Sequence, residues 1–221
     1  MVAQLSGVII GSAGRRCQRR RLLPNHCLNQ ACRPLSLYLC GVIGDKRATE
    51  PLIAILQDIG EDSDLREEAA HALGRMRATE AVDPLITAAG SDADYAVGCW
   101  SVTALGEIGD SRAVEPLVML LEDKSNPTRI RGHAADALGR IGGNEVVEPL
   151  ARILEDPGDE AFVRDRAAWA ALAVADDRAA RPLLMYFRTK LDSMAEPGAA
   201  DADKMPEVLK GIAKLIDKLL G

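Results

Sequence analysis

Aromatic residues are scarce in this chain: two Trp, three Tyr and two Phe make up 3% of 221 residues. The core must therefore be built from aliphatic side chains, and any aromatic at a surface position becomes conspicuous. Apolar runs are short, none approaching the roughly 20 residues that span a bilayer, so no transmembrane segment is expected. The five cysteines contain no Cys-x-x-Cys pair, and their odd number argues against a disulfide framework and for a reducing compartment. No glycine-rich phosphate loop of the Walker or dinucleotide type occurs, and Ser, Cys and His are too scattered to pair a nucleophile with a base. One region lacks acids altogether. Residues 1–44 hold Arg15, Arg16, Arg19, Arg20, Arg21 and Arg33, so a net charge of −6 leaves about −12 for the remainder. That acidity, with few aromatics, disfavours specific nucleic-acid binding.

What the chain does have is a repeat. A Pro-Leu pair recurs at Pro51-Leu52, Pro84-Leu85, Pro116-Leu117, Pro149-Leu150 and Pro182-Leu183, stepping by about 33 residues, a period of stacked helical units. An Ala-Leu-Gly triplet precedes it at a fixed offset, at Ala72-Leu73-Gly74, Ala104-Leu105-Gly106 and Ala137-Leu138-Gly139. Leu65, Ala69, Ala72, Leu73 and Met76 fall on one helical stripe, as do Ile130, Ala134, Ala137, Leu138 and Ile141. The element around the proline repeats the pattern with Val114, Leu117, Val118 and Leu121, and with Val147, Leu150, Ala151 and Leu154. Between the two lies a turn such as Ile108-Gly109-Asp110, where glycine closes one helix and aspartate caps the next. Proline then falls in the first turn of the second helix, where a missing N–H is harmless. Each unit is thus a pair of antiparallel helices that cannot bury its stripe alone, so the units must stack. The expected fold is all-α, a right-handed α-solenoid.

These units resemble the short HEAT repeats of the phycobilisome lyase type. The resemblance rests on an aliphatic-Arg pair, Ala-Ala, Ala-Leu-Gly, Ile-Gly-Asp, Arg-Ala and Pro-Leu; Ile130-Arg131, Ala134-Ala135, Ala137-Leu138-Gly139 and Pro149-Leu150 fit it best. It covers residues 39–190. Departures are Arg77-Ala78 in place of Gly-Asp, Gly98 where other units carry Arg66, Arg131 and Arg164, Asn144-Glu145 for the turn acid and arginine, and Ala170-Ala171-Leu172 for Ala-Leu-Gly. The resemblance implies two enzyme alternatives. Deoxyhypusine hydroxylases hold iron through His-Glu pairs on first helices, but the matching pairs here read Glu67-Glu68, Cys99-Trp100, Gly132-His133 and Asp165-Arg166, and His71 and His133 occupy different columns. Bilin lyases, which attach or detach tetrapyrroles as two-subunit assemblies, are the other.

Residues 1–38 read as a poorly ordered arginine-rich leader, with a targeting segment or an upstream start as alternatives. Cys17, Cys27, Cys32, Cys40 and His26 lack zinc-ligand spacing. Residues 39–190 form the repeat domain. Residues 191–205 have linker composition, and 206–221 read as an amphipathic capping helix through Val208, Leu209, Ile212, Leu215, Ile216, Leu219 and Leu220.

A noncatalytic scaffold or adaptor for another protein is the expected function, with no cofactor, no catalytic residue and a cytoplasmic location; a subunit of a protein-modifying enzyme is the alternative. Glu50, Asp83, Glu115 and Glu148 precede successive prolines, which sets an acid at the same height on each second helix. Along the face of second helices, usually the concave one in solenoids, that row would take a partner with a basic segment. The same acids would in any case favour the positive ends of their helices. Trp100 stands in a column otherwise held by Glu68, His133 and Arg166, and Trp169 in one held by His71, Thr103 and Asp136. Each is a candidate partner anchor, or packs on a neighbouring segment.

Overall fold

The computed structural model describes residues 33–91, 94–174 and 176–195. Among them there is no strand. First helices α1 (Arg33–Ile43), α3 (Ser63–Arg75), α5 (Tyr95–Ile108), α7 (Thr128–Ile141) and α9 (Ala161–Val174) alternate with second helices α2 (Thr49–Gln57), α4 (Val82–Ser91), α6 (Val114–Glu122), α8 (Val147–Glu155) and α10 (Ala180–Ala195). The expected all-α solenoid of sequentially stacked helix pairs is what forms. Residues 1–32 and 196–221 fall outside the described part, and with them most of the expected leader and linker and the whole of the expected capping helix. No helix of the described residues is long and apolar enough to cross a membrane.

Local chemistry sets each joint. Gly44, Gly109 and Gly142 end α1, α5 and α7 at φ of 70°, 75° and 70°, the left-handed region that a Cβ disfavours. Arg77 takes the same place after α3 at φ 51°, so the second unit holds an arginine where its neighbours use glycine. A single turn of 3-10 helix follows each joint. The carboxylates of Asp45, Asp110 and Asp176 accept the backbone N–H of Arg47, Arg112 and Arg178 there, at 3.1, 2.9 and 2.9 Å, and also hold the guanidinium of the same arginine. Pro34 lies in the first turn of α1, where a missing N–H is tolerated; the first unit therefore has its own first helix.

The core is a continuous aliphatic seam: Leu52, Leu85, Leu117, Leu150 and Leu183 from second helices, and Leu73, Leu105 and Leu138 from first helices, are all within 1% of complete burial. The two layers pack differently. First helices touch through glycine and alanine, so that a Cβ built on Gly74, Gly106 or Gly139 would lie 2.8, 2.8 or 2.7 Å from the Cα of Ala104, Ala137 or Ala170. Second helices pack mainly on the first helix of the following unit, and only lightly on one another. A stack drawn tight along one layer and spread along the other bends toward the tight one. Such packing makes the first helices the inner face, whereas the sequence led to the expectation of second helices on the concave side.

A column of arginines ties unit to unit. The Arg66 and Arg131 Nε atoms donate to the carbonyls of Leu56 and Leu121 at 3.1 and 2.8 Å, and Arg164 reaches Leu154 at 3.4 Å, meeting carbonyls that the end of a second helix leaves open. Arg131, 2% exposed, also grips Asp159 with two bonds of 2.7 and 2.5 Å. Gly98 occupies this column in the third unit and supplies no such tie.

Candidate functional site

Four columns of side chains cross the inner face, because positions spaced by three and four share one side of each first helix. One runs Tyr38, His71, Thr103, Asp136 and Trp169; the next Glu68, Trp100, His133 and Arg166; a third Glu67, Cys99, Gly132 and Asp165; and a fourth Asp64, Ala96, Arg129 and Phe162. Tyr38, Trp100, Phe162 and Trp169 are all solvent-exposed here. Tyr95, at the start of α5, is exposed as well, whereas Tyr186 and Phe187 on α10 are buried. The scarce aromatics thus concentrate on the layer of first helices, mostly outside the core.

Three of these aromatic side chains have close neighbours, those of Tyr38 and Trp100 from an adjacent unit and that of Phe162 from its own helix. The Trp100 ring lies 4.9 Å from that of His71, tilted by 37°. Arg75 lies 5.4 Å above the Tyr38 ring, and Arg166 5.2 Å above that of Phe162, distances at which a cation and a ring attract. Gly132 makes the last arrangement possible: a Cβ there would overlap the Phe162 ring, which lies across α7 in the space glycine leaves.

Charge divides the face in two. The α3 side carries Asp64, Glu67 and Glu68. Burial, then the neighbouring charges of Asp64, Asp94 and Glu68, push the Glu67 carboxyl above its usual range. The α7 and α9 side carries arginines, of which Arg166 pairs with Asp136 at 2.8 Å and Arg140 approaches Glu107 at 3.8 Å. Burial lowers the His133 imidazole and raises the Asp136 carboxyl. His133 Nδ1 stands 3.4 Å from the Thr103 hydroxyl, which itself donates to the Cys99 carbonyl at 2.9 Å. Burial also raises the Cys99 thiol, so no thiolate is prepared there. Among the described residues no three His, Cys, Asp or Glu side chains converge to hold a metal.

Glu50, Asp83, Glu115 and Glu148 are exposed along one edge, in the first turns of α2, α4, α6 and α8. Arginines of the joints interleave with them. Arg112 approaches Asp83 to 3.7 Å while donating to the Thr79 carbonyl at 2.8 Å, and Glu148 adds to the charges that raise Arg178. The row and Trp100 belong to different layers and do not form one site. Sequence reasoning singled out Trp100 and Trp169 but not Tyr38 or Phe162; comparing the column of Asp64, Ala96 and Arg129 one unit further would have found Phe162.

A model of the HEAT repeats family matches residues 49–131 and 126–202. The chain belongs to the HEAT-repeat family. Among curated proteins, bilin biosynthesis protein PecE of Mastigocladus laminosus is 43% identical over 60 residues, 27% of this chain and 22% of the relative. The chain thus matches less than a quarter of that relative's length. Among solved structures, the complex of CpcE and CpcF of phycocyanin lyase from Nostoc sp. PCC7120 matches with a TM-score of 0.58 at 22% identity, over 80% of this chain and 72% of that one. That likeness is one of fold. Human deoxyhypusine hydroxylase in complex with glycerol matches at a TM-score of 0.35 and 20% identity, over 86% of this chain and 80% of that one.

Proposed function

We propose that this HEAT-repeat chain is a noncatalytic scaffold that holds another protein along the inner face of its first helices. The observation that carries the reading is the placement of Tyr38, Trp100, Phe162 and Trp169: a chain with hardly any aromatics sets them on one exposed curved face. Exposed Trp and Tyr amid paired arginines and carboxylates are the residue types that dominate binding energy at protein interfaces. The row Glu50, Asp83, Glu115 and Glu148 contributes less, because joint arginines offset its charge and its acids already stabilise helix ends.

A second reading, a subunit of an enzyme that handles bilins, is favoured by the 43% identity to a bilin biosynthesis protein over 60 residues. Affinity capture from the native source with the tagged chain, followed by mass spectrometry, tests the first. Phe162→Ala with Trp169→Ala should release the captured protein, and Met119→Ser with Met185→Ser, at exposed sites on second helices, should not. Retention by the aromatic pair of variants, or release by the methionine pair, rejects the inner face. Visible absorbance after incubation with a bilin and passage through a desalting column tests the second; a co-eluting pigment would favour it over a plain scaffold.

A further inference from the structure

We infer that Leu172 ends the stack of HEAT units, and that residues 206–221 dock on the fifth unit as a helix in place of a sixth. The inference does not depend on the scaffold reading. Each of α1, α3, α5 and α7 carries a glycine where the next first helix comes closest: a Cβ on Gly41, Gly74, Gly106 or Gly139 would lie 3.0, 2.8, 2.8 or 2.7 Å from the Cα of Ala72, Ala104, Ala137 or Ala170. One unit further along the same column stands Leu172, in α9. Where a single Cβ is already too near, a whole leucine side chain keeps out any first helix stacked in the same way, whether from this chain or from a second copy. The layer of second helices shows the same open end. Ile53, Ile86, Val118 and Ala151 follow their Pro-Leu pairs and are packed against the core or buried, whereas Leu184, at the same place in α10, is 43% exposed. No described helix lies beyond α10.

The chain itself supplies a cover of matching chemistry. Val208, Leu209, Ile212, Leu215, Ile216 and Leu219 recur at helical spacing, and Lys210, Lys214 and Lys218 fall on another side; such a stripe needs an apolar surface to lie on. Pro206 and Glu207 suit the first turn of a helix. As a helix, 206–221 would be about 24 Å long, which matches α10 with its 16 residues. Residues 196–205 span up to about 33 Å when extended, enough to bring that helix back along α10. A helix that presents leucine and isoleucine packs at about 8–10 Å between axes and needs no glycine opposite it. Leu172 therefore admits this helix while barring another HEAT first helix.

The test is photo-crosslinking of the full chain, with p-benzoylphenylalanine replacing Leu184 or, as a control, Met119, which is exposed on α6. Products are sized and then mapped by mass spectrometry of tryptic peptides. The probe at 184 should join a peptide from 206–221 of the same molecule, at monomer mass, and the probe at 119 should not. Ile212→Asp with Ile216→Asp should abolish that product, and Lys214→Glu, on the other side of the segment, should retain it. Hydrogen exchange reads the same contact with Leu184 in place: the paired aspartates should speed exchange of the α10 amides by about tenfold, and Lys214→Glu should leave it unchanged. Lack of a product with 206–221, a product at dimer mass, or α10 exchange unaltered by the paired aspartates overturns the docking.

Discussion

Replacing Gly106 by alanine should destabilise the solenoid, and replacing Gly98 by alanine should stabilise it, although both sit inside the same helix α5. A helix-interior glycine is worse than alanine by about 0.5–1 kcal/mol, so propensity alone favours both changes. Packing separates them. A Cβ on Gly106 would lie 2.8 Å from the Ala137 Cα and 2.9 Å from its Cβ, atoms of a neighbouring helix that cannot swing aside. Ordinary contact between carbons needs about 3.5–4.0 Å, so α5 and α7 must move apart and loosen the seam around Leu105 and Leu138. Overpacking of this kind costs about 1–3 kcal/mol, which leaves a net loss of about 1–2 kcal/mol. At Gly98 the nearest atoms are Ile130 Cδ1 at 3.5 Å and the Ala89 carbonyl at 3.7 Å, ordinary contact, so the gain of about 0.5–1 kcal/mol survives. For a chain of this size each kcal/mol shifts the melting temperature by about 2–4 °C. Urea unfolding followed by circular dichroism reads both changes. A Gly106→Ala chain as stable as the parent would refute the tight first-helix layer, and with it the direction of curvature.

Arg131→Ala should cost about 3–5 kcal/mol, since it leaves the Asp159 carboxylate buried without its guanidinium; urea unfolding checks it, and a loss under 1 kcal/mol would show that the clamp carries little. Arg77→Gly should raise stability by about 1 kcal/mol by relieving a left-handed residue that has a Cβ, visible as a higher melting temperature. Acid should weaken the fold through His133. Burial lowers its folded pKa from 6.5, so below about pH 6.5 the unfolded chain takes up a proton that the folded chain refuses. This contribution is present above that pH and is lost as pH falls toward the folded value; His133→Gln should flatten the slope of unfolding free energy between about pH 7 and about pH 5.

The period, the two helices per unit, the proline in the first turn and the aliphatic seam were legible because each repeats at fixed spacing and depends on local propensity. The direction of bending was not, although its cause is written in the residues: Gly74, Gly106 and Gly139 meet alanines of the next unit. Reading it requires knowing which column of one helix meets which column of the next. The row Glu50, Asp83, Glu115 and Glu148 shows the same difficulty. Its acids were evident, but the proximity of Arg112 to Asp83 is made between units about one period apart, by a side chain already fixed to Asp110. Trp100 was found by comparing columns, whereas the His71 ring against it comes from the preceding first helix, which only the stacking brings alongside.

Hydroxyl-radical footprinting of the chain alone and bound to its captured partner tests the central claim most directly. Trp100, Phe162 and Trp169 on the inner face, and Met119 and Met185 on second helices, are all exposed and reactive residue types. The account predicts that binding protects the three aromatics and leaves both methionines labelled. Protection of Met119 and Met185 with the aromatics unchanged would contradict it.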